Sequence, residues 1–199
     1  MPRDGSLTRQ RILDAAQKLV IDNGFGATSV DAVIAASGSS KGAFFHHFAS
    51  KQALAEALVD QYVVGDLQLL ADGYAAAESA GDDPVDRLEA FLRYFEGMAD
   101  EIMAGTTGCL YTSVLAEQHL IDAGTSVPIT AATEQWRERF GALLRAALDG
   151  RRDADIDALA DHLWVTFEGT FLLARTTGEP EQLRRQLAVL RELVSAYVG

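Results

Sequence analysis

The sequence lacks most features that mark secreted, membrane-spanning and metal-binding proteins. Its 199 residues include a single cysteine, Cys109, which excludes an internal disulfide and any cysteine-built zinc site. No apolar run approaches the roughly 18 residues that a membrane span requires, and the N-terminal MPRDGSLTRQ lacks the apolar centre of a signal peptide. These absences predict a cytoplasmic protein with no membrane partner.

Positive charge is also scarce, and it is unevenly distributed. The formal net charge is -12, yet residues 1–55 hold six Lys and Arg against four Asp, and no lysine follows Lys51. The rest of the chain holds eleven Arg against twenty-five Asp and Glu. An acidic body repels phosphate whereas the N-terminal head does not, although surface acid also serves solubility alone.

Apolar residues recur at helical spacing along the chain, and no alternating strand pattern appears. The sequence therefore predicts an all-α fold of about nine helices. The predicted helices run from Thr8 to Asn23, from a capping box at Thr28-Ser29-Val30-Asp31 to Ser37, from Ser39 or Ser40 to Phe48, from Ser50 to about Ala80, from Pro84 past Met98, from Cys109 to Ile121, from Ser126 to Leu148 with a stop at Asp149-Gly150, from Asp155 to Thr176, and from Glu181 to Val198.

The stretch from Gly38 to Leu54, GSSKGAFFHHFASKQAL, is unusual in so acidic a chain. Two short helices joined by Ser37-Gly38-Ser39-Ser40, after a longer first helix, match the pattern of a DNA-binding helix-turn-helix. Helical spacing places Phe44 and Phe48 on the buried face of the second short helix. The outward residues are then those that DNA would meet: Ser40, Lys41, Ala43, Phe45 and His46.

The chemistry of the outward side chains suits a DNA contact. Lys41 can reach a phosphate or a guanine edge, and Phe45 can cover a thymine methyl group. Lys51, together with the free amides near Ser50, suits a phosphate at a helix N-terminus.

This stretch resembles the DNA-binding signature of tetracycline-repressor (TetR) family regulators. The matching positions are Gly38, Ser40, Gly42, Phe44, Phe45, His47, Phe48, Lys51 and Leu54. The family's first helix is similar to Thr8–Ala16 here, and Gly24-Phe25 and Thr28-Ser29-Val30 follow as they do in the family. One position departs: Phe45 stands where tyrosine is common, so a phosphate-binding hydroxyl is missing.

The resemblance covers about 50 residues and implies two domains with different functions. A helix-turn-helix domain would occupy residues 1–52, and an effector-binding and dimerisation domain residues 53–199. The implied DNA-binding residues are Thr28, Ser40, Lys41, Gly42, Ala43, Phe45, His46, His47 and Lys51. His47 is expected either to contact the DNA backbone or to bond only the neighbouring helix. His46 is expected either to contact a base or simply to be exposed to solvent.

The resemblance further implies a homodimer and a small apolar or aromatic effector. The last two helices are apolar over enough of their surface to pair with the same helices of a second subunit, or to form an ordinary intrachain core. Aromatic residues are abundant enough for an apolar pocket. The candidate pocket residues are Phe91, Phe95, Met98, Cys109, Tyr111, Trp136, Trp164, Phe167 and Phe171. Gly108-Cys109-Leu110 resembles a segment of one branch of the family in which cysteine senses electrophiles or oxidants, the alternative being a small buried hydrophobe.

An enzyme is not predicted. Residues at i and i+1 of a helix point about 100° apart, so His46 and His47 do not form a metal site, and no cofactor is expected. Along the predicted helix Cys109 and His119 would be about 15 Å apart, too far for a catalytic pair. We therefore expect a repressor that an effector releases from a palindromic operator; the rival class is a helical ligand carrier or enzyme that shares only the head.

Overall fold

The computed structural model describes residues 5–104, 106, 108–148 and 154–198. These residues form ten helices and no strand, which confirms the all-α prediction. The helices are α1 (Gly5–Asn23), α2 (Val30–Ser37), α3 (Lys41–His47), α4 (Lys51–Ser79), α5 (Pro84–Met103), α6 (Leu110–Leu115), α7 (Gln118–Asp122), α8 (Ser126–Leu148), α9 (Ile156–Thr177) and α10 (Gln182–Val198).

The predicted helix from Cys109 to Ile121 is divided in two, which accounts for the tenth helix of the described residues. Glu117 lies between α6 and α7 with an extended backbone, at φ -108 and ψ 98. Its carboxylate accepts a hydrogen bond from the backbone amide of Gly26. The predicted stop at Asp149-Gly150 lies outside the described residues.

Most helix ends follow the predicted capping residues. Ser40 accepts a hydrogen bond from Ala43 N, and Asp83 accepts from Val85 N before Pro84 begins α5. The capping box at Thr28 is wrong, because Ser29 is the N-cap of α2 and accepts from Ala32 N. Thr28 is buried and uses its hydroxyl within the preceding turn instead.

The described chain forms two compact units. The first unit comprises residues up to Val64 together with Gly108–Thr130. It therefore contains α1 to α3, α6, α7 and the beginnings of α4 and α8. Its core includes fully buried Ile12, Leu13, Phe44 and Leu54. Because α6 and α7 pack with the N-terminal helices, residues distant in sequence help to build this unit.

The second unit comprises Gly65–Thr107 and Ala131–Gly199. Within it α10 packs against both α5 and α9. Fully buried aromatic and aliphatic residues fill its core, among them Phe91, Phe95, Phe140, Leu183 and Leu187. In the part of the chain that the structure describes, none of the helices is long and apolar enough to cross a membrane.

Candidate nucleic-acid interface

The turn between α2 and α3 is built by Gly38. Its φ of 62 is left-handed, a conformation that glycine adopts without a steric penalty. Ser39 N donates to Ile34 O at 3.2 Å, and the hydroxyls of Ser37 and Ser39 are 2.9 Å apart. These bonds complete a helix C-terminus and fix the direction in which α3 leaves α2.

The two faces of α3 differ in burial, as the sequence predicts. Phe44 is buried and Phe48, just after α3, is buried with it, their rings 5.7 Å apart. Phe45 is 47% exposed, and Lys41 and His46 are exposed beside it. The exposed face therefore presents one cation, one imidazole and one apolar ring, which suits phosphates and base edges.

The rings of the adjacent histidines contact each other edge to face. The rings of His46 and His47 are 5.0 Å apart in an edge-on arrangement, and the His47 ring is 6.3 Å from that of Phe48. His47 is half-buried and His46 is exposed. Their DNA contacts remain predictions. Among the described residues, no group of three or more His, Cys, Asp or Glu side chains is placed to hold a metal ion.

Thr28 holds the turn that precedes α2. Its hydroxyl donates to Gly24 O at 2.9 Å and approaches Leu19 O at 3.2 Å, and the residue is 4% exposed. The side chain is therefore occupied within the protein. Because its hydroxyl is already hydrogen-bonded, the structure adds no support to the DNA contact predicted for Thr28.

Lys51 is also engaged by the head. Its Nζ donates to Phe25 O at 2.6 Å and to Gly26 O at 3.3 Å, and it lies 4.3 Å from the centre of the Phe25 ring. Burial lowers the pKa of Lys51, while the negative charge of Glu117 acts in the opposite direction. Two of the three ammonium donors are occupied, so one N–H is left for the predicted phosphate contact.

Glu117 makes a contact with the head that the sequence pattern does not predict. Its Oε1 accepts a hydrogen bond from Gly26 N at 2.8 Å, although the two residues are 91 positions apart. A lone glutamate between two short helices gives no signal of such a contact.

The predicted effector residues fall in both units. Cys109 and Tyr111 are buried in the first unit, where Tyr62 Oη is 3.7 Å from Cys109 Sγ and the rings of Tyr62 and Tyr111 are 4.9 Å apart. The burial of Cys109 is compatible with a small core residue, and its sensing role remains a prediction.

The other seven predicted effector residues lie in the second unit. Three of their rings form one cluster: that of Phe95 is 5.3 Å from Trp136 and 5.9 Å from Phe167. Trp136 Nε1 donates to Asp66 Oδ2 at 3.1 Å, so a carboxylate that the sequence analysis missed lies at the edge of the cluster. Phe91 and Phe171 are buried, and Met98 and Trp164 are half-buried.

The second unit also has a crevice and a set of exposed apolar side chains. The crevice is lined by residues of α5 and α10, including Leu88, Leu92 and Val194, and it contains none of the predicted effector residues. On α9 and α10 several apolar side chains are exposed in the single chain: Val165, Leu172, Leu173, Val189, Leu193 and Tyr197.

Two regions of the chain match models of known protein families. Residues 12–58 match the family model "Bacterial regulatory proteins, tetR family", and residues 84–190 match "Tetracyclin repressor-like, C-terminal domain". The transcriptional regulator AcuR of Cereibacter sphaeroides is 29% identical over 186 residues, which are 90% of this chain and 82% of AcuR. The transcriptional repressor DhaR of a Mycobacterium species is 26% identical over 187 residues, 92% of this chain and 90% of DhaR.

Solved structures agree. A TetR transcriptional regulator from Chloroflexus aurantiacus superposes with a TM-score of 0.75 at 26% identity, covering 97% of this chain and 96% of that one. Regulatory protein TetR from Rhodobacter sphaeroides gives a TM-score of 0.74 at 26% identity, covering 94% and 98%. The helix-turn-helix geometry and these matches along both regions lead to one conclusion: the chain belongs to the TetR family of DNA-binding transcriptional regulators.

Proposed function

We propose that the protein is a homodimeric repressor that binds a palindromic operator through α3 of each subunit and leaves it when a small molecule binds. The exposed face of α3 carries this proposal. Lys41, Phe45 and His46 are accessible there, and Ser40 begins the helix beside them. Repression rather than activation is supported by the name of the relative DhaR, a transcriptional repressor.

Dimerisation is supported by the exposed apolar surface of α9 and α10. Leu172 is 69% exposed and Leu193 is 52% exposed in the single chain. Several large apolar side chains exposed on two helices that pack together are the kind of surface that a second subunit would cover. Two copies of α3 bound about one DNA turn apart need a dimer to hold them, which is why the operator is expected to be palindromic.

The aromatic cluster of the second unit supports an effector with apolar or aromatic character. Phe95, Trp136 and Phe167 offer ring faces and edges, and Asp66 offers a hydrogen-bond acceptor that Trp136 now satisfies. Effector sites combine an apolar lining with a few polar groups, and this cluster has both components.

The test is to sequence the DNA that co-purifies with the protein and to measure its binding by gel shift. We expect an inverted repeat, bound by two subunits, with affinity that falls steeply as salt increases. A protein that shifts no duplex, including its own upstream region, would contradict the proposal and favour a ligand carrier or enzyme. A ligand screen by thermal shift then supplies effector candidates.

A further inference from the structure

The turn between α1 and α2, residues 24–29, is held by side chains from two distant parts of the chain. Lys51 binds it through the carbonyl oxygens of Phe25 and Gly26. Glu117 binds it through the amide of Gly26. A cation therefore meets the acceptor of Gly26 and an anion meets its donor, so both backbone polar groups of this residue form charge-assisted hydrogen bonds.

The approach of Glu117 depends on the glycine. A Cβ at position 26 would lie 2.7 Å from Glu117 Oε1, closer than real Cβ contacts. Gly26 is not among the glycines with positive φ, so its lack of a side chain serves the contact rather than an unusual backbone conformation. The absence of a side chain at Gly26 therefore leaves the space in which the Glu117 carboxylate accepts its hydrogen bond.

The segment around Glu117 makes further contacts near the turn. The extended backbone at Glu117 separates α6 from α7. Its Oε2 lies 3.6 Å from His119 Nδ1, and the His119 ring is 5.9 Å from that of Phe25. The segment of α6 and α7 thus contacts the turn through one hydrogen bond and one ring contact.

We infer that Glu117 is a positioning residue for DNA binding. Gly26 lies three residues before Ser29, the N-cap of α2, and α2 leads through Gly38 into α3. A bond that fixes the turn therefore fixes where α2 begins, and with it the orientation of the recognition face. Glu117 acts through the turn and not by touching DNA, since a carboxylate is repelled by phosphate. The inference rests on the DNA-binding function of the head.

The test compares Glu117→Ala with Glu117→Gln in the full-length protein, using the operator identified above. Removing the acceptor should weaken operator binding about tenfold, the factor expected for one lost charge-assisted hydrogen bond. Gln keeps an oxygen that accepts from Gly26 N, so Glu117→Gln should stay within about threefold of the wild type. The salt dependence should not change in either variant, because no phosphate contact is lost.

A matched control and a second substitution separate positioning from stability. Gln118→Ala, an exposed neighbour outside the contact, should leave operator affinity unchanged. Gly26→Ala should weaken binding in the wild-type background and add nothing in the Glu117→Ala background, because the obstructing carboxylate is absent there. Substituting a residue that only stabilises the fold should lower the melting temperature but leave the operator affinity of the folded protein unaltered.

The outcomes are distinct. Loss of at least about fivefold in folded Glu117→Ala supports the inference, and a smaller loss overturns it. If Glu117→Ala does not fold, Gly26→Ala is judged by the same threshold. Wild-type protein that binds no operator overturns the proposed function and this inference together, whereas normal wild-type binding with an unaffected variant overturns the inference alone.

Discussion

At the scale of single residues, the two lysines of the signature stretch differ in what their ammonium groups contact. Lys41 is exposed at the start of α3, and Lys51 donates to backbone oxygens of Phe25 and Gly26. The same residue type thus serves two purposes within ten positions. A substitution at each should separate DNA affinity from the stability of the head.

Lys41→Ala should weaken binding to all DNA sequences about equally and reduce the salt slope by about one unit, because one phosphate contact is lost. Its stability should be unchanged, since its side chain is exposed. Titrations at several salt concentrations measure both quantities. An unaltered slope with unaltered affinity at low salt would show that Lys41 is not a phosphate contact.

Lys51→Ala should in addition lower the free energy of unfolding by about 1 kcal/mol, because two backbone carbonyls lose a charged donor. Urea unfolding followed by circular dichroism measures this loss, with Lys41→Ala as the matched control. Stability equal to that of the wild type would mean that the contacts of Lys51 with Phe25 and Gly26 contribute nothing net.

Gly38→Ala should destabilise the protein by about 1 kcal/mol, because the left-handed conformation is costly for a residue with a Cβ. The added methyl meets no atom within 4 Å, so the cost is conformational alone. Gly65→Ala, inside α4 and equally open, is the control and should stabilise by roughly 0.5 to 1 kcal/mol. Denaturant midpoints that moved in the same direction for both variants would contradict this account.

At the scale of elements, α9 and α10 combine a buried face with an exposed apolar face. Leu163 and Phe171 are buried on α9, and Leu187 and Leu190 on α10. A surface helix of a monomer normally places polar residues on its outer face. The apolar outer face is therefore the feature that a second subunit would explain.

Leu172→Glu combined with Leu193→Glu should yield a folded monomer, because both side chains are exposed in the single chain and charges would be buried in a dimer. Operator affinity should fall roughly 100-fold as the two heads lose their linkage. Light scattering and gel shift report the two effects. Val127→Glu, 67% exposed on α8, is the control and should remain dimeric; a dimeric double variant would refute this interface.

At the scale of the whole molecule, α4 belongs to both compact units. Residues up to Val64 lie in the first unit, and the helix continues from Gly65 in the second. The helix α4 thus continues without interruption from the first unit into the unit that holds the aromatic cluster, as α8 also does between Thr130 and Ala131. A ligand changes operator affinity only by binding two states of the protein with different affinities.

We expect a cognate effector to weaken operator binding by up to roughly 150-fold, which corresponds to about 3 kcal/mol of coupling. Because such coupling is reciprocal, operator DNA must weaken effector binding by the same factor. Calorimetry of the effector with and without saturating operator measures this directly. Identical effector affinities would refute release of a repressor by its ligand.

The sequence determined the features that depend on near neighbours. Ser40, Ser50 and Asp83 were predictable as caps because each accepts from an amide two or three residues away. The opposite burial of Phe44 and Phe45 follows from helical periodicity, and the family follows from a motif within seventeen positions. The dimer partner, the DNA contacts and the effector pocket remain predictions.

Tertiary structure decided the features that join distant residues. Glu117 binds Gly26 across 91 positions, and Trp136 binds Asp66 across 70. The sequence near these residues does not predict either pairing, because a carboxylate beside a helix can equally well face solvent. Local hydrogen bonds are fixed by chain connectivity, whereas these partners are chosen only when the packing of several helices brings a donor and an acceptor within 3 Å or so.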